Sequence, residues 1–393
     1  MSSPASSRLR LEPIDLLRGV IIVVMALDHT RDFFGTIGAD PTNLDTTSPS
    51  LFFTRWITHF CAPVFFLLTG TGAFLALRRR TPADLSRFLL TRGLWLILVE
   101  GVILRTLMQF NVDYHVTLLT VLWALGWAMI ALALLSRLPL PVVVAFGVTL
   151  VIGHNALDGI RAADLGAWGP LWSFLHAPGI LWADADHLVL AAYPVIPWIG
   201  VTALGYALGS VYAWPAERRR SFLLRLGAAL TAAFLVVRAL NVYGDPRPWA
   251  AQAGAGWTLI SFLNVNKYPP SLLFLLMTLG PALVLLGLFD RGTPRVLGPA
   301  LTIGKVPFFF FLGHFFLIHL LATLVCFIRY GAIHWMFESP SLDRFPVTPP
   351  PGWGYPLPIV YLVWVTVVVT MYPLCRWYAA LKARRTDPWL SYL

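Results

Sequence analysis

Charged side chains are scarce in this sequence. Of its 393 residues, 12% are Asp, Glu, Lys or Arg, whereas 58% are hydrophobic. Soluble domains carry about 25% charged residues, so this chain has too few to cover a surface that faces water. The apolar runs extend from one end of the chain to the other, which predicts one membrane domain over residues 1–393 rather than several soluble domains.

Cysteines and the motifs of soluble enzymes are scarce or missing as well. The three cysteines lie within or at the end of apolar runs and lack CxxC spacing, which argues against a disulfide framework and a zinc site. No two histidines have HxxxH spacing, and we expect no metal site. The GxSxG, Walker and dinucleotide-binding motifs are absent. No internal repeat is visible, which weakens the case for a transporter built from inverted repeats.

The apolar runs have the length of membrane-spanning helices. A helix needs about 20 apolar residues to cross a hydrocarbon core of about 30 Å. The runs are continuous, whereas the strands of a membrane barrel alternate in polarity. We therefore predict an all-α bundle of about ten transmembrane helices, with the run at 141–155 the shortest. The spans lie near residues 14–34, 51–77, 86–107, 117–136, 141–155, 188–213, 222–242, 271–289, 304–328 and 358–377.

The lysine and arginine residues predict the orientation of the bundle. The net charge is +10, and the basic residues cluster in short connections between apolar runs, so we expect no nucleic-acid partner. With both termini in the cytoplasm, 19 basic residues lie on the inner side and seven on the outer side. This orientation gives cytoplasmic tails at 1–12 and 378–393. It depends on the run at 141–155, because omitting that span would invert everything after it.

The long connections fall on the predicted outer side. They are rich in Gly, Pro, Trp, Asp and His, whereas the inner connections are short and basic. Chemistry on a polar substrate is therefore expected at the outer face. These long connections are residues 35–50, 155–187, 243–270 and 329–357.

The first predicted helix carries ionisable side chains at both ends. Asp15 and Arg18 share a helix face and can form an anchoring ion pair, or Arg18 can meet a phosphate at a cytoplasmic mouth. Asp28 and His29 lie roughly 20 Å further on, where ionisable groups are costly and usually face a protein interior or a water-filled cavity. A histidine beside a carboxylate is typical of a general base. The alternative is a solvated cluster at the helix end, which Arg31 continues.

Two other predicted helices place histidines at comparable depths. Arg55 and His59 are four residues apart and share a helix face, so together with His29 they predict a polar pocket. The alternative is a buried core histidine and an arginine that extends to the interface. His314 lies near the predicted midplane, and His319 lies further out on a different face of the same helix. His314 is the better candidate of the two.

Further polar side chains are weaker candidates. Lys267 and Asn264 stand at the predicted outer mouth of the eighth helix. We interpret Glu100 and Arg105 of the third helix as a buried structural pair. Three histidines lie in or beside the connection at 155–187, each either a substrate contact or an ordinary loop residue: His154, His176 and His187.

Several short segments resemble a family of membrane acyltransferases. The opening from Arg10 through Asp15-Leu-Leu-Arg18-Gly19 to Asp28-His29 resembles proteins with a heparan-α-glucosaminide N-acetyltransferase catalytic domain and, more distantly, the acyltransferase-3 family. In the acyltransferase-3 pattern, the histidine that ends the first helix is the catalytic candidate, which suits His29. In the animal branch this position looks like Asn and the catalytic histidine follows in the next outer loop, where this chain has none. Later segments look like the bacterial branch, in matching order: residues 58–63, 193–200, 264–271 and 305–319.

The resemblance implies transfer of an acyl group, which we expect to be acetyl, from cytoplasmic acyl-CoA to an amine or hydroxyl of an extracytoplasmic glycan or glycolipid. We expect His29, oriented by Asp28, to act as general base or to carry the acyl group itself. Other residues are expected to bind the acceptor and stabilise the oxyanion. They are His59, His314, Arg31, Arg55, Lys267, Asn264 and His319, while Arg18 and Lys305 are expected at the CoA phosphates.

The expected partners are membrane lipids and the glycan acceptor, with a homodimer left open, in a bacterial inner membrane. The main alternative function is a transporter or flippase for a polar solute or lipid headgroup, in which the same histidines relay protons or bind the headgroup. A non-catalytic membrane partner is a second alternative. Release of CoA on transfer would distinguish the enzyme from both.

Overall fold

The computed structural model describes residues 11–36, 39–340, 346–385, 387 and 390. The predicted tail at 1–12 lies almost wholly outside these residues, and so does part of the tail at 378–393. The helices are α1 (Glu12–Phe34), α2 (Pro49–Thr58), α3 (Cys61–Leu77), α4 (Pro82–Leu98), α5 (Arg105–Gln109), α6 (Val121–Leu135), α7 (Leu140–Gly153), α8 (Gly169–Leu175), α9 (Val195–Gly209), α10 (Ala216–Leu240), α11 (Ala255–Leu263), α12 (Leu272–Phe289), α13 (Gly298–Gly304), α14 (Pro307–Tyr330) and α15 (Leu357–Arg384). The strands are β1 (Val116–Leu119), β2 (Gly179–Ala183) and β3 (Leu188–Ala191).

Short helical turns join several of these elements. A π-helical turn (Val99–Leu104) makes α4 and α5 continuous. Turns of 3-10 helix cover His154–Leu157, Ala162–Trp168, Ser210–Ala213, Arg295–Leu297 and His334–Phe337. Several helix starts are capped: the side chains of Ser48, Thr81 and Ser271 each accept a hydrogen bond from the backbone amide three residues later.

Seven helical segments of the described chain are long and apolar enough to cross a membrane, and they match seven of the predicted spans. The other three predicted spans are also helical, but α1 and the α4–α5 segment carry more charge, and α6 has only 15 residues. Ten crossings and their orientation therefore stay predictions. The seven segments are Pro49–Leu77, Leu140–Leu157, Val195–Ala213, Ala216–Leu240, Leu272–Phe289, Pro307–Tyr330 and Leu357–Arg384.

Some boundaries differ from those predicted. Helix α15 continues to Arg384, so the tail predicted to begin at 378 begins inside a helix. The long connections contain α8, β2 and α11. Following the predicted orientation, we call the end of the bundle that carries residues 39–48, 243–270 and 346–356 the outer end, and the opposite end the inner end.

Helix α1 lies at the centre of the bundle, in contact with α2, α3, α12, α13, α14 and α15. Its approach to α13 is very close. A Cβ atom added to Gly19 would lie 1.8 Å from the carbonyl oxygen of Ala300, and one added to Gly304 would lie 1.8 Å from that of Asp15. Small residues at a helix crossing permit this approach. It also brings Nη1 of Arg18 to 3.5 Å from the Gly304 carbonyl oxygen.

A small three-stranded sheet accompanies the helices, and the all-α prediction did not include it. The strand order is β1–β3–β2, with β1 parallel to β3, Val116 opposite Leu188, and β2 antiparallel to β3. Strands β1 and β3 overlap the starts of the predicted spans 117–136 and 188–213. The sequence does not distinguish these strands from helix, because a short buried strand and a buried helix segment have similar compositions.

Glu100 connects this sheet to the helices. Its buried carboxylate accepts hydrogen bonds from the backbone amide and hydroxyl of Thr120, both at 2.6 Å. It also accepts from the backbone amides of Leu122 (3.0 Å) and Trp123 (3.3 Å). These groups lie where β1 ends and α6 begins, and a negative charge is favourable at a helix N-terminus. Glu100 therefore fixes the start of α6.

The predicted pair between Glu100 and Arg105 is wrong, because Arg105 binds a different carboxylate. Its Nη2 donates to Oδ1 of Asp113 at 2.7 Å. Partial burial raises the pKa of Asp113, but hydrogen bonds from Ser339 and Arg105 outweigh this effect and the pKa falls below its ordinary value. Ser339 follows α14 in the chain, so the interaction joins two separate connections.

Candidate active site

Helices α1 and α14 bring two histidines into direct contact. Nδ1 of His29 lies 2.7 Å from Nε2 of His314, and the rings stack with their centroids 5.0 Å apart. His314 is fully buried and His29 is partly exposed. We call His29 and His314 the histidine pair. The sequence predicted both as site residues, but their contact spans 285 positions and no local pattern reveals it.

The hydrogen bonds of the pair define which nitrogens carry protons. Nδ1 of His314 lies 3.0 Å from the carbonyl oxygen of Phe310, which only accepts, so this nitrogen carries the proton of a neutral ring. Nε2 of His314 then accepts, and His29 donates from its Nδ1. The lone pair on Nε2 of His29 is left available, which is what a general base or a nucleophile requires.

Asp28 does not hydrogen-bond His29, contrary to the prediction that it orients this ring. Its carboxylate accepts a hydrogen bond from Arg55 and lies 3.0 Å from Nη2 of Arg31. Successive residues of a helix point about 100° apart, so Asp28 and His29 face different directions from α1. The buried carboxylate holds two arginines near the histidine pair, and its charge acts on His29 through space.

His59 and Lys267 lie near this ion cluster. His59 is 1% exposed and packs edge-on against Phe274, with the ring centroids 5.3 Å apart. Neither of its ring nitrogens hydrogen-bonds a residue that the structure describes. Nζ of Lys267 lies 5.2 Å from the ring centroid of Tyr268, and its charge acts on Asp28. Both predicted residues therefore belong to the polar region around Asp28.

Asn264 and His319, which we predicted to bind the acceptor, hold backbone segments together. Nδ2 of Asn264 donates to the carbonyl oxygen of Thr42 at 2.8 Å. The ring nitrogens of His319 lie 3.1 Å and 2.8 Å from the carbonyl oxygens of Leu107 and Met336. These contacts join outer connections to the bundle and favour structural roles for both side chains.

A cavity of about 380 Å³ extends from the inner end toward the histidine pair. Its lining is mostly apolar and comes from α1, α3, α4, α6 and α14. Met25, one turn before His29, and Phe311 form its deep wall, and the Phe311 ring packs edge-on against His29 with the centroids 6.3 Å apart. We call it the inner cavity. It reaches the residues that pack against the histidine pair.

The mouth of the inner cavity is basic. Arg18 lines the cavity and pairs with Asp15 at 2.9 Å, which confirms the predicted ion pair. An adjoining cavity of about 590 Å³ shares Arg18 and Arg80 with it. Lys305, which we predicted for the CoA phosphates, is not among the described residues that line either cavity. The arginines that line the two cavities are Arg18, Arg78, Arg79, Arg80 and Arg92.

A pocket of about 620 Å³ opens at the outer end, beyond Arg31. Trp353 and Tyr355 enter its lining from the connection before α15. This connection folds back over the end of α1, since Nε1 of Trp353 donates to the Phe33 carbonyl oxygen at 2.9 Å. We call it the outer pocket. Its polar lining residues include Arg31, Asp32, Thr36, Asp40, Ser48 and Ser50.

The sequence reasoning did not identify several residues that line these spaces. Arg78 to Arg80 and Arg92 are among the basic residues that predict the orientation of the bundle. The sequence does not place them at a cavity, because that position depends on how α3 and α4 pack. Trp353 and Tyr355 stand in a connection recognised as rich in Gly, Pro and Trp. That composition was the available signal, but it does not say which pocket an aromatic side chain lines.

The chain matches the family model described as heparan-alpha-glucosaminide N-acetyltransferase, catalytic, over residues 10–244, which is more than half of its length. No curated protein matches it. The matched region includes α1 to α10 and therefore His29 and Arg55, whereas His314 lies beyond it. With its long apolar helices, this match makes the protein a membrane protein of the acetyltransferase type. The chain belongs to the heparan-alpha-glucosaminide N-acetyltransferase catalytic-domain family.

Proposed function

We propose that this protein transfers an acyl group from acyl-CoA at the inner end to an amine or hydroxyl of a glycan or glycolipid at the outer end. The acyl group that we propose is acetyl. The observation that carries the proposal is the histidine pair, placed between the inner cavity and the outer pocket. The family supports the reaction class. The proposed location is a bacterial inner membrane.

The inner cavities suit acyl-CoA. Guanidinium groups bind phosphates through paired hydrogen bonds, and Arg18 and Arg78 to Arg80 stand together at the basic mouth. The inner cavity beyond them is mostly apolar, which suits the alkyl parts of pantetheine and the methyl of an acetyl group. The thioester would then reach the wall formed by Met25 and Phe311, next to His29.

In the proposed reaction, Nε2 of His29 takes the proton of the acceptor amine or hydroxyl as that group attacks the thioester carbonyl carbon. The new C–N or C–O bond forms, the C–S bond breaks, and the proton passes to the departing CoA sulfur. Positive charge near the site, from Arg55 and Lys267, would stabilise the oxyanion. A second route has Nε2 attack the thioester carbonyl carbon first, so that the C–S bond breaks, CoA thiolate leaves and an acyl-histidine forms. The acceptor then attacks the acyl carbon, the C–Nε2 bond breaks, and the acceptor's proton passes to the CoA thiolate.

The outer pocket suits a sugar. It combines carboxylates and hydroxyls, which can hydrogen-bond sugar hydroxyls, with the rings of Trp353 and Tyr355, which can cover an apolar sugar face. Asp32 and Asp40 add negative charge that favours an amino sugar. This pocket is therefore the proposed acceptor site.

The proposal is tested with purified protein in liposomes, using radiolabelled acetyl-CoA on one side and glucosamine or glycan acceptors on the other. We expect CoA release together with label on the acceptor. His29→Ala should lower the rate by about 10²- to 10⁴-fold, the usual contribution of a general base. Label retained on the protein after rapid denaturation near neutral pH, where an acylimidazole hydrolyses most slowly, would separate the acyl-histidine route from direct transfer.

His334→Ala is the matched control, because this histidine is exposed and lies beside Glu338 and Trp335 rather than the pair. It should keep wild-type activity. Full activity of His29→Ala would contradict the mechanism. Movement of the sugar across the liposome without CoA release would instead identify a transporter.

A further inference from the structure

Three side chains with metal-binding atoms converge near the outer end, apart from the proposed active site. They are His154 and Asp158, one helical turn apart after α7, and His176, which follows α8. One ligand atom from each can be chosen so that all lie within 4.8 Å of one another. Nε2 of His176 lies 3.5 Å from Oδ1 of Asp158.

The His154 side chain is the feature that points to a ligand. It is 2% exposed, and neither of its ring nitrogens hydrogen-bonds a residue in the described part of the chain. Buried polar groups without a partner are rare in folded proteins, since each one has lost its hydration. The His176 ring faces it, with the two ring centroids 5.7 Å apart.

We propose that His154, Asp158 and His176 bind a divalent transition metal ion, specifically Zn²⁺. Two imidazoles and one carboxylate are a donor set that suits zinc, and a fourth tetrahedral position is left for water. At zinc–ligand distances of about 2.0–2.1 Å, neighbouring ligand atoms lie about 3.3 Å apart. The ligand atoms are spread over up to 4.8 Å, so zinc binding would require rotations of the side chains that draw these atoms together.

Asn155 orients the Asp158 carboxylate and connects the cluster to α12. Nδ2 of Asn155 donates to Oδ2 of Asp158 at 2.7 Å, the kind of hydrogen bond that orients a ligating carboxylate. Oδ1 of Asn155 accepts from the backbone amide of Leu272 at 2.8 Å, at the first residue of α12. Bound zinc would therefore brace the connection at 155–187 against the start of α12.

Nε2 of His176 also lies 2.8 Å from the carbonyl oxygen of His154. This hydrogen bond is the competing explanation for the position of the His176 ring, and zinc coordination through the same nitrogen would replace it. It leaves the His154 ring unexplained. Their spacing in the sequence does not indicate a metal site, because 22 positions separate the two histidines.

The experiment is zinc analysis of the full-length protein after chelation, zinc addition and removal of excess metal. We expect one zinc per chain in the wild type and none in the double variant His154→Ala/His176→Ala. Asp158→Asn, which keeps the shape of the side chain, should weaken zinc binding at least tenfold. Replacement of zinc by Co²⁺ should give the visible absorption bands of a tetrahedral site.

His187→Ala is the matched control, because this histidine is partly exposed and pairs with Asp184 in the same connection. It should bind zinc like the wild type. Added zinc should raise the Tm of the wild type and of His187→Ala, but not that of the double variant. The proposal would be overturned if the wild-type protein retained no more zinc than the double variant. It would also be overturned if His187→Ala lost its zinc while the double variant kept it. The wild-type measurement decides the matter even if a variant fails to fold.

Discussion

At the scale of single residues, Asp28 is the group on which the arrangement of charges depends. Its carboxylate is buried and contacts two arginines, Arg31 and Arg55, which come from different helices. Removing one partner of a buried ion cluster is costly, because the opposite charge stays buried without compensation. The cluster therefore links the stability of the outer half of the bundle to the position of Arg55, which we propose stabilises the oxyanion.

We predict that Asp28→Asn lowers the free energy of unfolding by about 3–5 kcal/mol, the usual cost of breaking a buried ion pair. Transfer activity should fall with it, because Arg55 loses the group that positions it. Thermal unfolding in detergent and the transfer assay measure the two effects. Asp45→Asn, at an exposed position, should leave both unchanged. Wild-type stability of Asp28→Asn would show that the arginines do not need this carboxylate.

The sequence predicts which histidines belong to the site, but it does not predict the partner of each side chain. The depth of His29 and His314 follows from the rise of a helix, so both were identified. The partner of each side chain depends on how each helix is rotated and packed, which local spacing does not determine. Asp28 and His29 are neighbours in sequence, which suggests a pair, but a helix directs successive side chains apart.

At the scale of elements, Glu100 decides where α6 begins. It accepts hydrogen bonds from the backbone amides of Thr120, Leu122 and Trp123 in one short stretch.

The strands near Glu100 were not predicted, because they are only four or five residues long and lie within or beside apolar runs. The long helices were predicted well, since their apolar runs have the length that a bilayer requires.

We predict that Glu100→Ala destabilises the protein by about 3 kcal/mol or more, since each hydrogen bond to a charged group contributes about 1.5–3 kcal/mol. Glu100→Gln should recover part of this loss, because its amide oxygen still accepts. Hydrogen exchange of the amides at the start of α6 would report the effect locally. Glu217→Ala, at an exposed position in the first turn of α10, serves as the control. Unchanged exchange in Glu100→Ala would contradict the capping role.

At the scale of the whole molecule, the number and direction of crossings stay predictions. Charge counting favours both termini inside, and this result depends on whether α7 crosses the membrane. The three native cysteines are buried, so introduced cysteines can be labelled against a low background. Exposed positions on each side of α7 in the sequence separate the two topologies.

We predict that an impermeant maleimide labels Asp186→Cys and Ala253→Cys in intact cells. Ala83→Cys and Val296→Cys should be labelled only after the membrane is permeabilised, because both lie in connections predicted to be cytoplasmic. All four positions are exposed. Wild-type protein is the control for background labelling. Labelling of Val296→Cys but not Ala83→Cys in intact cells would show that α7 does not cross.

The contact between α1 and α14 has a consequence for the timing of synthesis. His29 belongs to the first helix of the chain, whereas His314 is translated 285 residues later. In the proposed mechanism, a nascent chain on the ribosome therefore holds one imidazole without the partner that fixes its tautomer. Activity would begin only when translation has passed α14, so unfinished chains would not consume acetyl-CoA.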